Sequence, residues 1–207
     1  EHKRINTLSA LLDGHCKAIV CSAAAAIQLT IPPKELQNHT FTISCGDEID
    51  KNELVRRLIA AGYSRAGQID GSGQFSVRGG IVDVFPPNSA VPYRMEFFGD
   101  EIDSLGEFDL ETQRRTKALD GIEISPARET LFESGKALCE KIEALAKRLR
   151  GKAAEKTRER LESDVERIRN GGSPSNLDRY FPLCFDGEAT VFDYAERVFV
   201  CENTAVR

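Results

Sequence analysis

The chain has 207 residues, 41% of them hydrophobic, enough for one large core or two small ones, and no apolar run approaches the roughly 18 residues that span a bilayer. A net charge of −5 argues against general adhesion to nucleic acid, which needs a basic surface, and the start Glu1-His2-Lys3-Arg4-Ile5 has no hydrophobic signal region, which favours a soluble cytoplasmic fragment. Six scattered cysteines (Cys16, Cys21, Cys45, Cys139, Cys184, Cys201) form no CxxC pair, so they read as reduced, mostly buried thiols rather than a zinc ribbon or a disulfide framework.

From the N-terminus, Ile5, Leu8, Leu11 and Leu12 recur at helical spacing and predict a helix over Glu1–Asp13, closed by Gly14. Ala18-Ile19-Val20-Cys21 is a short buried-strand candidate. Ser22 is placed to N-cap a helix over Ala23–Leu29, which Pro32-Pro33 should stop. This helix–strand–helix order suits part of an α/β layer. Phe41–Ser44 reads as the next strand. Asp50 is an N-cap for Lys51–Ala60, with Glu53 near the capping-box position. Leu54, Val55, Leu58 and Ile59 give the buried stripe, and Gly62 suits the left-handed residue after it.

The densest β pattern follows. Gln68–Asp70 and Phe75–Val77, joined through Gly71-Ser72-Gly73, predict a hairpin. Phe75 and Val77 alternate with Ser76 and Arg78, so the two pairs point to opposite sheet faces. Gly79-Gly80 interrupts the period, as a bulge or a close backbone approach would. Ile81–Phe85 resumes the strand, Pro86-Pro87-Asn88-Ser89 turns the chain, and Tyr93–Phe98 returns. Tyr93, Met95 and Phe97 share one face; Arg94, Glu96 and Phe98 share the other. Gly99-Asp100 is a second tight turn before Ile102–Leu105. This antiparallel meander and its helix bound a compact α+β module at roughly His39–Glu123.

Beyond Glu133 the period lengthens. Leu138, Ile142, Leu145 and Leu149, then Leu161, Val165 and Ile168, predict a helical hairpin or a long bent helix ending at Asn170-Gly171-Gly172-Ser173-Pro174. Eleven Lys/Arg against eight Asp/Glu between Glu133 and Asn170 read as a solvated helical face. Arg197–Cys201 is the last buried-strand candidate.

Chemistry is sparse. Ser134-Gly135-Lys136 is followed by Ala137 and lacks the leading glycine of a P-loop, so it reads as a helix start. Gly71-Ser72-Gly73 fails the dinucleotide fingerprint because Ser76 stands at the third glycine position. No nucleotide site is encoded and no cofactor is expected. His2, His15 and His39 are too dispersed for a metal site or a catalytic triad. Glu96, Asp100, Glu101 and Asp103 are explained by turn chemistry and solvation; acid–base work would need two of them converging in a pocket. Arg78 has a sharper reading, since a guanidinium forks onto carboxylates and stacks on flat groups, as an interface anchor does. Its other reading is an internal pair with Glu96 or Asp83. Phe98 is either an exposed apolar contact or a cover for the module's own helix.

The spelling of these stretches carries a resemblance. Gly62-Tyr63-Ser64-Arg65, FSVRGGIVDVFPP from Phe75, and the run from Tyr93 to Ser104 resemble the UvrA-interaction domain shared by bacterial transcription-repair coupling factors (Mfd) and the excision-repair subunit UvrB. Asp109–Arg114, Pro126-Ala127-Arg128-Glu129 and the spelling FSVRGG, where UvrB usually has FRVRGD, are more similar to the coupling factors. The match is close from about Gly62 to Glu129 and looser on both sides.

The resemblance implies a partial RecA-like (UvrB-like) α/β lobe lacking a nucleotide site, over residues 1–38 and 124–207, with the small antiparallel-sheet interaction domain inserted at 39–123. It implies a non-enzymatic module that recruits UvrA to RNA polymerase stalled at a DNA lesion, starting nucleotide excision repair. In that family, ATP-driven translocation on double-stranded DNA and polymerase binding belong to later domains, and no membrane is involved. Arg65 and Arg78 match two arginines that contact UvrA. UvrB's further arginine falls on Ser76, which implies a different contact pattern there, and Phe98 completes the candidate set. A fragment of a UvrB-type damaged-DNA-binding helicase is the alternative, disfavoured by Gly80, Ser76 and the Pro126–Glu129 spelling.

Overall fold

The computed structural model describes residues 2–16, 18–132, 135–170, 177–185 and 187–195. Helix α1 (His2–Leu12) turns Ile5 and Leu8 inward. Ser22 caps α2 (Ala23–Ala26) by accepting from the Ala25 amide at 3.2 Å, but this helix ends three residues before the expected Leu29. Pro32-Pro33 does not stop a helix. It opens α3 (Pro33–Asn38), where a proline in the first turn lacks only an N–H that would be unpaired anyway. Ala18–Cys21 is not a strand: no described strand pairs with it, and Val20 is 97% exposed. An apolar run becomes a strand only where another backbone meets its N–H and C=O groups.

Strand β1 (Phe41–Ser44) leads to α4 (Lys51–Ala60). The Asp50 side chain accepts from the Glu53 amide at 2.9 Å, and Gly62 leaves the helix at φ 84°. Leu54 and Leu58 are buried on its inner face, while Ile59, expected beside them, is exposed. The chain then builds β2 (Ser64–Arg65), β3 (Gln74–Arg78), β4 (Ile81–Phe85), β5 (Tyr93–Phe98), β6 (Glu101–Phe108) and β7 (Arg115–Ala118), hydrogen-bonded in that order as one sheet. β3 to β7 form the antiparallel meander; β2 joins parallel to β3, with Arg65 beside Phe75. The expected hairpin from Gln68–Asp70 does not form, because Ser64–Arg65 takes the edge of β3 instead. A last strand, β8 (Gly121–Ile124), runs back antiparallel to β1 as a separate pair.

Gly79-Gly80 is the two-residue turn between β3 and β4, and Gly99-Asp100 the turn between β5 and β6. In each, only the first central residue has positive φ (59° and 65°), the pattern of a type II′ turn, whose twist matches the strands it joins. The inner face of the sheet gives Phe75, Val82, Val84, Met95 and Leu105 to a core shared with Leu54, Leu58, Ile43, Ile122 and Ile124. Each such side chain contributes about 1.5–3 kcal/mol by leaving water.

Two further helices, α5 (Gly135–Arg148) and α6 (Glu155–Arg169), turn back on each other through Gly151 at φ 85°. Leu138, Cys139, Ile142 and Ala146 meet Leu161, Val165 and Ile168, and Leu177 and Tyr180 close the cluster. Leu145, expected in this stripe, is exposed; the i, i+4 row Leu138–Ile142–Ala146 faces inward instead. A short helix, α7 (Phe181–Cys184), follows. A third cluster joins Ile5, Leu8, Ile31 and Leu36 to Leu131 and Tyr194, so the chain returns to α1 after leaving the sheet. The predicted strand Arg197–Cys201 lies outside the described residues. No described helix is long and apolar enough to cross a membrane. Among the described cysteines only Cys139 is buried; Cys21 and Cys45, in loops after the first helix and β1, are exposed, contrary to the expected burial.

Candidate protein interface

Alternation along β3, β4 and β5 gives the sheet a second, polar face opposite its core. Cross-strand pairing aligns Ser76 with Asp83 and Asp83 with Arg94, so these three form one row, with Arg78 two residues along β3 and Glu96 two residues along β5. Asp83 stands between two core valines and is only 1% exposed. A carboxylate taken that far from water must be paired and hydrogen-bonded. Arg94 grips it with both prongs, Nε to Oδ1 at 2.7 Å and Nη2 to Oδ2 at 3.0 Å. Arg78 adds a third contact, Nη2 to Oδ2 at 2.9 Å.

Arg94 is itself largely covered, its side chain 12% exposed. Its guanidinium lies over the Phe108 ring at 4.5 Å and donates from Nη1 to the Gln113 carbonyl at 3.0 Å. The hydrogen bond to Asp83 raises the Arg94 pKa, as do the negative charges of Asp83 and Glu96, while burial opposes the rise. Gln113 belongs to the turn between β6 and β7. Asp109 holds that turn by accepting from the Thr112 amide at 2.7 Å and hydroxyl at 2.8 Å, and these bonds keep its carboxyl below the usual carboxylate range. Gln113 has φ 59°, a conformation side-chain-bearing residues rarely adopt. Its Nε2 donates to the Leu110 carbonyl at 2.7 Å, and its Oε1 lies 3.4 Å from Arg78 Nη2.

Both readings of Arg78 therefore meet in one side chain. It pairs internally with Asp83, yet 43% of it remains exposed. Arg65, on the edge strand, is exposed and makes no hydrogen bond or ion pair among the described residues. Register places Arg65 beside Phe75, three residues from Arg78 and so about 10 Å away along β3, on the opposite side by alternation. The two arginines flank β3 rather than sharing one row. Phe98, 81% exposed beside the Gly99 turn, does not cover the module's helix. Ser76 lies deeper than the other candidates. It is 1% exposed, its hydroxyl has no hydrogen-bond partner, and its short side chain ends below the surface that Arg78 reaches from the same face. Sequence reasoning placed Arg94 on this face but missed its grip on Asp83, and it missed Gln113 altogether; the signal for the first was a charged residue alternating with core residues in β5.

The profile of the UvrB interaction domain family matches residues 41–129, the segment that holds this whole face. The chain is 33% identical over 201 residues to the transcription-repair-coupling factor of Bacillus subtilis, covering 93% of this chain and 17% of that protein. It is 32% identical over 191 residues to that of Haemophilus influenzae (92% of this chain, 16% of the relative) and 34% identical over 179 residues to that of Myxococcus xanthus (86% and 15%). The chain thus spans about one sixth of the length of the curated relatives it matches. Residues 41–129 match the UvrB interaction domain family, and over most of its length the chain is similar to one part of the transcription-repair coupling factors.

Proposed function

We propose that this chain is the UvrA-docking part of a transcription-repair coupling factor, working in the cytoplasm to bring UvrA to RNA polymerase stalled at a DNA lesion. The observation that carries this reading is the polar sheet face inside the matched domain. It presents a half-exposed guanidinium, Arg78, on a buried base, with Phe98 fully at the surface near the same hairpin ends. Arg65 adds a second cation at the sheet edge. A charged fork and an aromatic ring in reach of solvent are the residue types that anchor protein interfaces.

The chain acts by binding. ATP-driven movement on double-stranded DNA and the grip on RNA polymerase reside in other parts of the full-length protein. Residues 1–38 and 124–207 form a UvrB-like, RecA-like lobe without a nucleotide site, around an interaction domain at 39–123. The packing of Leu131 and Tyr194 against Ile5 and Leu8 supports that out-and-back path.

Titration of purified UvrA tests the reading. Arg78→Ala weakens binding by about 1–3 kcal/mol, and Phe98→Ala by a similar amount, with folding intact. Parental affinity in both variants removes this face from the site.

A further inference from the structure

We propose that Asp83, with Gln113 above it, is a positioning residue that fixes the Arg78 guanidinium in advance for a carboxylate of the docking partner. The inference rests on the UvrA-docking reading and goes one layer beneath it. Asp83 needs a cation because it is buried, and Arg94 alone meets that need through two bonds of 2.7 and 3.0 Å. The third contact, from Arg78, is surplus to the carboxylate and has to be understood from the arginine's side.

A guanidinium has five N–H donors in a rigid plane. At Arg78, Nη2 is committed to Asp83 Oδ2 at 2.9 Å and approaches Gln113 Oε1 at 3.4 Å. Nε and Nη1 make no hydrogen bond among the described residues, so three donors stay available at a side chain that is still half in water. A free surface arginine must surrender its rotamer freedom when it binds; one already held by its far nitrogen has done so on folding. Gln113 is consistent with this. Glycine would suit its left-handed backbone better, and its carbonyl could serve Arg94 whatever the side chain. The side chain itself is turned by the Leu110 carbonyl so that its oxygen faces Arg78.

The test is titration of purified UvrA into the full chain carrying Asp83→Asn, Gln113→Gly, Arg78→Ala, and each of the first two combined with Arg78→Ala. Circular dichroism melts accompany each variant. Gln113→Gly keeps the parental melt and weakens binding about threefold; a folded Asp83→Asn weakens it about tenfold. In the Arg78→Ala background neither change has further effect, because both act through that arginine; a merely structural role would leave their cost intact there. If Asp83→Asn fails to fold, Gln113→Gly decides. Parental affinity in a folded Asp83→Asn or in Gln113→Gly, or an equal loss with and without Arg78, overturns the positioning role while leaving the docking face standing. Parental affinity in Arg78→Ala overturns the positioning role, and parental affinity in Phe98→Ala as well removes the docking face.

Discussion

Asp83, Arg94 and Arg78 divide their labour unequally, and the division is measurable in stability. Arg94 is largely covered and supplies two of the three bonds to the buried carboxylate, so Arg94→Ala leaves Asp83 with one half-exposed partner. Truncating one side of a buried pair costs about 3–5 kcal/mol, and urea unfolding of Arg94→Ala should show a loss of that order. Arg78→Ala leaves the two-pronged grip intact and should cost under about 1 kcal/mol in the same measurement. The sequence carried part of this arrangement. Strict alternation put Arg78 and Arg94 opposite the core, and Asp83 was one of two carboxylates within reach of Arg78. Alternation gives the side of a sheet but not the depth on it, so it could not tell that Ser76 is buried and Arg78 is not. Nor could it find Gln113, whose positive φ is imposed by a turn that Asp109 and Thr112 close.

The strands β6 and β7 carry the turn that holds Gln113, and their separation hangs on Gly106. A Cβ there would collide with the Lys117 carbonyl on the neighbouring strand, a backbone atom that cannot move aside alone. Gly106→Ala should therefore push β7 outward and cost about 1–3 kcal/mol, read as a lower urea midpoint. Gly99→Ala, at φ 65° with open space around it, isolates the backbone cost of a left-handed residue, about 1–2 kcal/mol. At this scale, what was readable in advance depended on sequence distance. The caps at Ser22, Asp50 and Gly62 and the turn at Gly99-Asp100 have cause and effect within a few residues, whereas Gly79-Gly80, read as a bulge or a close backbone approach, is a turn. The β1–β8 pair joins residues some eighty positions apart, and β2 reaches β3 across a loop that itself looked like a strand. Ala18–Cys21 had the composition of a strand and no backbone to meet.

Over the whole molecule, the described ends of the chain are tied together beside the sheet. Arg4 pairs with the buried Glu129 at 3.2 Å, Thr30 donates to the same carboxylate at 2.6 Å, and Leu131 fills the cluster between α1 and α3. Leu131→Ala should cost about 2–5 kcal/mol by opening a cavity at this junction. Hydrogen exchange should then quicken in α1 while β3 to β6, whose core is separate, keep their protection. The sheet's two margins have a consequence of their own. One is a strand of two residues, β2, and the other, β7, is four exposed residues that include Arg115 and Lys117. Neither is a long bare ribbon on which a second copy could stack strand upon strand, and like charges would meet along the cationic one. A protein that keeps Phe98 in open water needs that safeguard: the ring can wait for its partner without seeding fibres.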